Sequence, residues 1–261
     1  MKNNNQLKIA LIQSDLVWEN PDANRTHFKE KINSISEEID LIVLPEMFTT
    51  GFSMNPEKVA ETMQGETISW MQLLAKEKQC AITGSIVIYE NNQYYNRLLF
   101  VHPSGKIEYY NKKHTFTLAG ENKIYTSGTE KLIVNYNGWK IYPLICYDLR
   151  FPVWARNVEQ YDLLLYVASW PKPRIEAWDT LLKARAIENM SCTIGVNRVG
   201  TDANNHEYNG NTVCYDTLGN CLAKNDKGEE AILIVTLNKE TQNETRKRFQ
   251  FLEDRDQFII Q

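Results

Sequence analysis

Three short apolar runs constrain this chain more than any other feature: DLIVLP at 40–45, IYPLIC at 141–146 and DLLLYVA at 162–168. None alternates polar with apolar residues, so each reads as a strand buried on both faces, which demands a covering layer on either side. Each also stops at a polar or reactive residue: Glu46, Cys146 and the segment Ser169-Trp170-Pro171. Ligands of open α/β sheets bind at the carboxyl ends of strands. If the three strands are neighbours, these residues share one rim.

The rest of the chain supplies the layers. LKIALIQ (7–13) reads as a strand, 21–38 as an amphipathic helix starting near Asn20, and 66–79 as a second helix. AITGSIVIY, YYNRLLFV and GKIEYY form successive antiparallel strands, with Asn91-Asn92 and Pro103-Ser104-Gly105 as turns. KLIVNYNGWKIYPLIC gives two strands joined around Asn137-Gly138. Helices are expected at 153–160 and at 175–190, the latter with Ile175, Trp178, Leu181, Leu182 and Ile187 as its apolar stripe. CTIGVN, TVCYD and AILIVTL are further strands, and 238–249 is a charged final helix. Strands mixed with helices predict a layered α/β sandwich, and the hairpins argue against a purely doubly wound sheet. No stretch resembles a linker or a repeat, so 1–261 is expected to be one domain.

A net charge of −4, without a Lys/Arg cluster, argues against a nucleic-acid partner. No apolar stretch reaches the ~18 residues of a membrane span, and the N-terminus is too short and polar for a signal peptide. A soluble cytoplasmic protein is expected. The five cysteines are an odd number without CxxC spacing, which disfavours both a disulfide scaffold and a zinc site. No metal and no cofactor are expected.

Cys146, at the exit of a buried strand, can aim its sulfur into a cleft. A free thiol has a pKa of ~8.5, so it needs a cation to favour thiolate and a base to take its proton. The loop YNKKHTFTLAGE (110–121) brings Lys112 and His114, and the first rim strand brings Glu46. Lys112 can supply the charge and Glu46 the base. The lysine and the backbone N–H of Tyr147 can then steady a tetrahedral oxyanion.

LPEMF (44–48), YNKKH (110–114) and ICYDLRFP (145–152) resemble, in order and spacing, the three signature segments of the nitrilase, or carbon–nitrogen hydrolase, superfamily. The resemblance runs from LKIALIQSD to the last strand. It implies a Glu46–Lys112–Cys146 triad, with Lys112 chosen over Lys113 because the family's lysine lies two residues before the histidine. It also implies a second glutamate at Glu121, a four-layer αββα subunit, and a dimer. The stretch 167–200, with its blocks ASWP, RAIEN and GVNRVG, looks like the branch of ω-amidases that act on amides of 2-oxo acids. The expected substrates are then small amides such as 2-oxoglutaramate or 2-oxosuccinamate, hydrolysed through a cysteine thioester. The alternatives are a nitrilase or N-carbamoyl amide hydrolase with the same triad, or a silent binding protein of the same fold.

Other residues have plainer readings. His114 is expected to pack the loop, because Lys112 already provides the cation. Cys80, Cys192, Cys214 and Cys221 lie in or beside apolar strands and read as inert small hydrophobes. Arg185 and Glu188 read as a structural ion pair, and Phe52, Trp70 and Trp178 as core or interface. Two readings stay open for Arg174: an ordinary surface arginine, or a fork-shaped clamp on a substrate carboxylate. Trp170, on the same segment, joins it as a substrate-binding candidate.

Overall fold

The structure, a computed structural model, describes residues 5–260. Two six-stranded sheets share one plan. The first runs, edge to edge, Ala231–Asn238, Gln6–Gln13, Leu41–Val43, Ala81–Glu90, Gln93–Val101 and Ile107–Asn111. The second runs Val134–Tyr136, Trp139–Ile145, Leu163–Ala168, Cys192–Asn197, Thr212–Tyr215 and Cys221–Asn225. In both, the second, third and fourth strands are mutually parallel, and every other pairing is antiparallel.

Side-chain alternation builds the layers. Leu7, Ile9 and Leu11 join Leu98, Phe100, Ile141 and Leu144 in the largest core cluster, whereas Ala10 and Ile12 face the other way. They pack there with Phe28 and Ile32 of helix Pro21–Ser34 and with Ile68, Met71 and Leu74 of helix Glu66–Lys78. Both faces are therefore buried, which is why these strands read as continuous apolar runs. Helix Ile175–Asn189 covers the second sheet through Trp178, Leu182 and Ala186. Gly195 lets it lie close, since a Cβ there would sit 2.4 Å from Leu182 Cδ1 and 2.6 Å from Trp178 Cζ2. Helix Lys239–Phe249 is tied on by Arg246, which donates to the carbonyls of Met190 and Tyr161. The order is helix, sheet, sheet, helix: the expected αββα sandwich. Among the described residues, no helix is long and apolar enough to cross a membrane.

Several boundaries differ from expectation. The helix expected over 21–38 ends at Ser34. The one expected over 153–160 is a single turn, Pro152–Ala155. Asn157 stops it: its N–H donates to Asn189 Oδ1, while its amide donates to the Asn189 and Tyr161 carbonyls. Asparagine that bonds to backbone in this way competes with helix continuation. Ile187 is 46% exposed, because it lies half a turn round from Trp178, and polar Arg185 and Asn189 complete the buried face instead. The strand Cys221–Asn225 and a hairpin of Val199–Thr201 with Glu207–Asn209 were not expected. On that first strand, Cys221 is exposed, while Cys80, Cys192 and Cys214 are buried as expected.

Candidate active site

The parallel plan brings the two sheets' strand ends to one seam. Strand Leu41–Val43 delivers Glu46, and strand Ile107–Asn111 delivers Lys112, both from the first sheet. Strand Trp139–Ile145 delivers Cys146 and strand Leu163–Ala168 delivers Ser169, both from the second. Cys146 has φ +43°, a left-handed conformation that turns the chain sharply at the strand end. A non-glycine residue there is uncommon and marks strain held by its surroundings. Met47, just after Glu46, is left-handed too (φ +44°), with its N–H held by Ser85 Oγ at 2.9 Å.

Glu46, Lys112 and Glu121 are all buried and in direct contact. Lys112 Nζ donates to Glu46 Oε1 at 2.9 Å and to both Glu121 oxygens, at 3.0 and 2.9 Å. Asn96 Nδ2 adds a 2.8 Å bond to Glu46 Oε1, and the Ser169 N–H a 2.8 Å bond to Glu46 Oε2. The Phe116 N–H donates to Glu121 Oε2. Burial opposes the charge on Lys112, but Glu121 and Glu46 outweigh it and raise its pKa, so the ammonium persists. Burial raises Glu121, Lys112 pulls it back and Glu46 pushes it up again. Burial also drives the Cys146 thiol well above its usual range, with Glu46 adding to the rise and Lys112 opposing it. Lys112 therefore acts in the expected direction, favouring the thiolate, but burial and the Glu46 charge outweigh it.

Glu46, Lys112 and Cys146 line a cavity of about 300 Å³, with Glu121 buried behind Lys112. Phe52, Phe116, Trp170 and Tyr208 contribute aromatic walls. Arg150 and Arg174 lie on the wall, the first 4.9 Å over the Trp170 ring and the second 5.3 Å over Phe116. Trp170 Nε1 donates to the Arg174 carbonyl at 2.8 Å, which fixes the turn carrying that arginine. Tyr147, the residue after Cys146, also lines the cavity. Phe52, expected in the core or an interface, packs against the small core cluster of Met47, Val59, Val87 and Tyr125 and also lines the cavity, with Lys112 Nζ 5.2 Å from its ring centre. Trp70 and Trp178 pack in the core as expected, and Arg185 pairs with Glu188 at 2.9 Å. Among the described residues, no group of three or more His, Cys, Asp or Glu is arranged to hold a metal ion.

Residues 8–247 match the carbon-nitrogen hydrolase family. The chain belongs to that family. Relatives in this carbon–nitrogen hydrolase group include an omega-amidase, YafV, of Yersinia enterocolitica, 45% identical over 97% of this chain and 98% of that one. A 2-oxoglutaramate amidase of Bacillus subtilis is 32% identical over 94% and 96%. Among solved structures, a CN-hydrolase superfamily protein of Xanthomonas campestris with an arsenic adduct in its active site superimposes with a TM-score of 0.95. It is 39% identical and covers 98% of this chain and 99% of its own.

Sequence reasoning missed Asn96, Arg150 and the hairpin residues Asp202, Asn204, His206 and Tyr208 that reach the cavity. Asn96 had left a signal, a polar residue inside the apolar run YYNRLLFV.

Proposed function

We propose that this protein is an ω-amidase that releases ammonia from small amides of 2-oxo dicarboxylic acids, such as 2-oxoglutaramate and 2-oxosuccinamate. The observation that carries the reading is the cavity itself: a buried Glu–Lys–Glu network beside a cysteine, with two guanidinium groups on the wall. The omega-amidase and 2-oxoglutaramate amidase relatives support it.

The chemistry follows from the hydrogen-bond count. Glu46 Oε1 already accepts from Lys112 and Asn96, whereas among the described residues Oε2 accepts from the Ser169 N–H. Oε2 therefore has the freer lone pair for the thiol proton. As that proton moves, Sγ bonds to the amide carbon and the carbonyl π pair becomes an oxyanion, stabilised by the Tyr147 N–H and the charge of Lys112. Collapse expels ammonia with the proton returned from Glu46 and leaves a thioester. Glu46, helped by Glu121, then deprotonates a water that attacks the thioester, releasing the acid and restoring the thiol. Because burial opposes a standing thiolate, proton transfer and attack are coupled.

Arg174 and Arg150 have no carboxylate partner among the described residues, so they are available to a substrate carboxylate, and Trp170 holds Arg174 in place. An apolar wall alone would reject that charge. A homodimer in the cytoplasm completes the proposal; sedimentation should give at least twice the 30.3 kDa chain mass, and a monomer at micromolar concentration would refute the dimer. The deciding assay measures ammonia release from short amides with and without a 2-oxo group, alongside nitriles and N-carbamoyl compounds. Turnover of the 2-oxo amides should dominate. Preferred turnover of a nitrile, or carbon dioxide released with ammonia, would replace this reading, and no turnover at all would leave a binding protein.

A further inference from the structure

The cavity is assembled from two sheets, so something must keep the lysine of one in register with the cysteine of the other. Asp148 is placed to do so. It is fully buried, two residues after Cys146, and each of its oxygens has two partners. Oδ2 accepts the Ile145 N–H at 3.0 Å, which closes the turn around the nucleophile, and the Tyr110 hydroxyl at 2.8 Å. Oδ1 accepts the His114 N–H at 3.0 Å and lies 2.7 Å from His114 Nδ1. Tyr110 and His114 bracket Lys112 in sequence, and Tyr110 sits on an edge strand of the opposite sheet. The partners are themselves held. The Tyr110 oxygen accepts the Lys113 N–H at 3.0 Å and Trp154 Nε1 at 3.1 Å, and the His114 ring stacks on Phe151 at 3.7 Å.

We infer that Asp148 is a positioning residue that bolts the lysine loop to the nucleophile turn and so sets the distance between Lys112 and Cys146. With the Ile145 and His114 N–H groups, the Tyr110 hydroxyl and the His114 ring all bonded to one buried carboxylate, neither the turn nor the loop can shift without breaking a bond to it. The left-handed Cys146 needs an outside restraint to persist, and the Ile145 bond supplies it on one side while the His114 and Tyr110 bonds tie that restraint to the other sheet. His114, read from sequence as loop packing, is one arm of this bolt. Asp148 is not among the residues lining the cavity. Its effect passes through geometry, where a displacement of ~1 Å can cost about a hundredfold in rate.

The turnover arm of the test rests on the amidase reading; the alkylation arm does not, since iodoacetamide reports on Cys146 without any amide. Asp148→Asn keeps the shape but turns an amide N–H₂ towards two donors. Well below its own melting temperature, it should lower both kcat and the rate of iodoacetamide labelling at Cys146 by about a hundredfold. KM should stay within roughly threefold, the scale of one marginal hydrogen bond. Peptide mapping assigns the labelled cysteine. If labelling and kcat both stay within about threefold of wild type while only the melting temperature falls, Asp148 is merely structural and the inference is overturned. If Asp148→Asn does not fold, Tyr110→Phe and His114→Ala each remove one side-chain arm, and unchanged labelling in both would overturn it equally. Should the wild-type protein turn over no amide, slower labelling in these variants would still support the bolt while refuting the proposed function.

Discussion

The backbone N–H of Ser169 meets Glu46 Oε2 at 2.8 Å, joining a strand end of one sheet to a strand end of the other. Because the donor is main chain, the contact depends on the fold rather than on the serine side chain. The Ser169 hydroxyl makes only a 3.4 Å approach to the Glu46 carbonyl.

Two substitutions separate these roles. Glu46→Gln removes the base and should lower kcat by roughly 10²–10⁴-fold with little change in KM. Ser169→Ala keeps the N–H and should stay within about threefold of wild type. A Gln variant with near-native kcat would mean that another group takes the thiol proton.

Lys112→Met would strand two buried carboxylates without their cation. Breaking a buried ion network in this way costs about 3–5 kcal/mol, or roughly 6–20 °C in melting temperature for a chain of this size. The pH dependence has a definite sign. Glu121 is raised even with Lys112 present, and removing the cation, which pulls it down, raises it further. A carboxyl whose folded pKa exceeds its unfolded value loses stability as pH rises between the two. The melting-temperature gap between variant and wild type should therefore widen from acid towards neutral pH. A gap independent of pH would show that the carboxylates are not the source.

Burial of Cys146 makes a further pH prediction. With the thiol pushed well above its usual range, iodoacetamide labelling of the resting enzyme should be slow near neutrality and should climb steadily with pH. Rapid, pH-independent labelling near pH 7 would reveal a preformed thiolate.

The buried strands were legible because both of their faces are apolar, and Glu46 and Cys146 because they stand where two of those strands end; Lys112, after the half-exposed edge strand Ile107–Asn111, was legible only through its loop and the family resemblance. The hairpin over the cavity was not. Its strands, Val199–Thr201 and Glu207–Asn209, have three residues each and little apolar character, and bonds to Asp202 from the Asn204 and His206 N–H groups and the Tyr208 hydroxyl shape the loop. Such side-chain bonding leaves no periodicity to read. The second role of Phe52 was hidden for a related reason: an aromatic ring in a loop does not announce that it faces a cavity as well as a core, and here it packs on a core cluster while lying 5.2 Å from Lys112 Nζ. Nothing in ICYDLRFP marks the part Asp148 plays, because its partners come from a turn and from a loop more than thirty positions away.

The arginines make the sharpest prediction about specificity. Arg174 and Arg150 approach the cavity from different elements, one from the turn Lys172–Arg174 and the other from the turn Cys146–Arg150, and each rests over an aromatic ring. Resting on a ring keeps a guanidinium partly desolvated yet free to pair, so a carboxylate can take it in a forked, charge-assisted contact. Each such contact is worth about 1.5–3 kcal/mol, or roughly ten- to a hundredfold in kcat/KM. Arg174→Ala and Arg150→Ala should each lower kcat/KM for 2-oxoglutaramate on that scale and leave a neutral short amide such as propionamide nearly unchanged. The ratio between substrates is the decisive quantity, because a folding defect lowers both together. If Arg150→Ala alone shifts the ratio, Arg174 is an ordinary surface arginine and the carboxylate lies along the nucleophile turn. Should neither shift it, the substrate's charge is met elsewhere in the cavity or not at all.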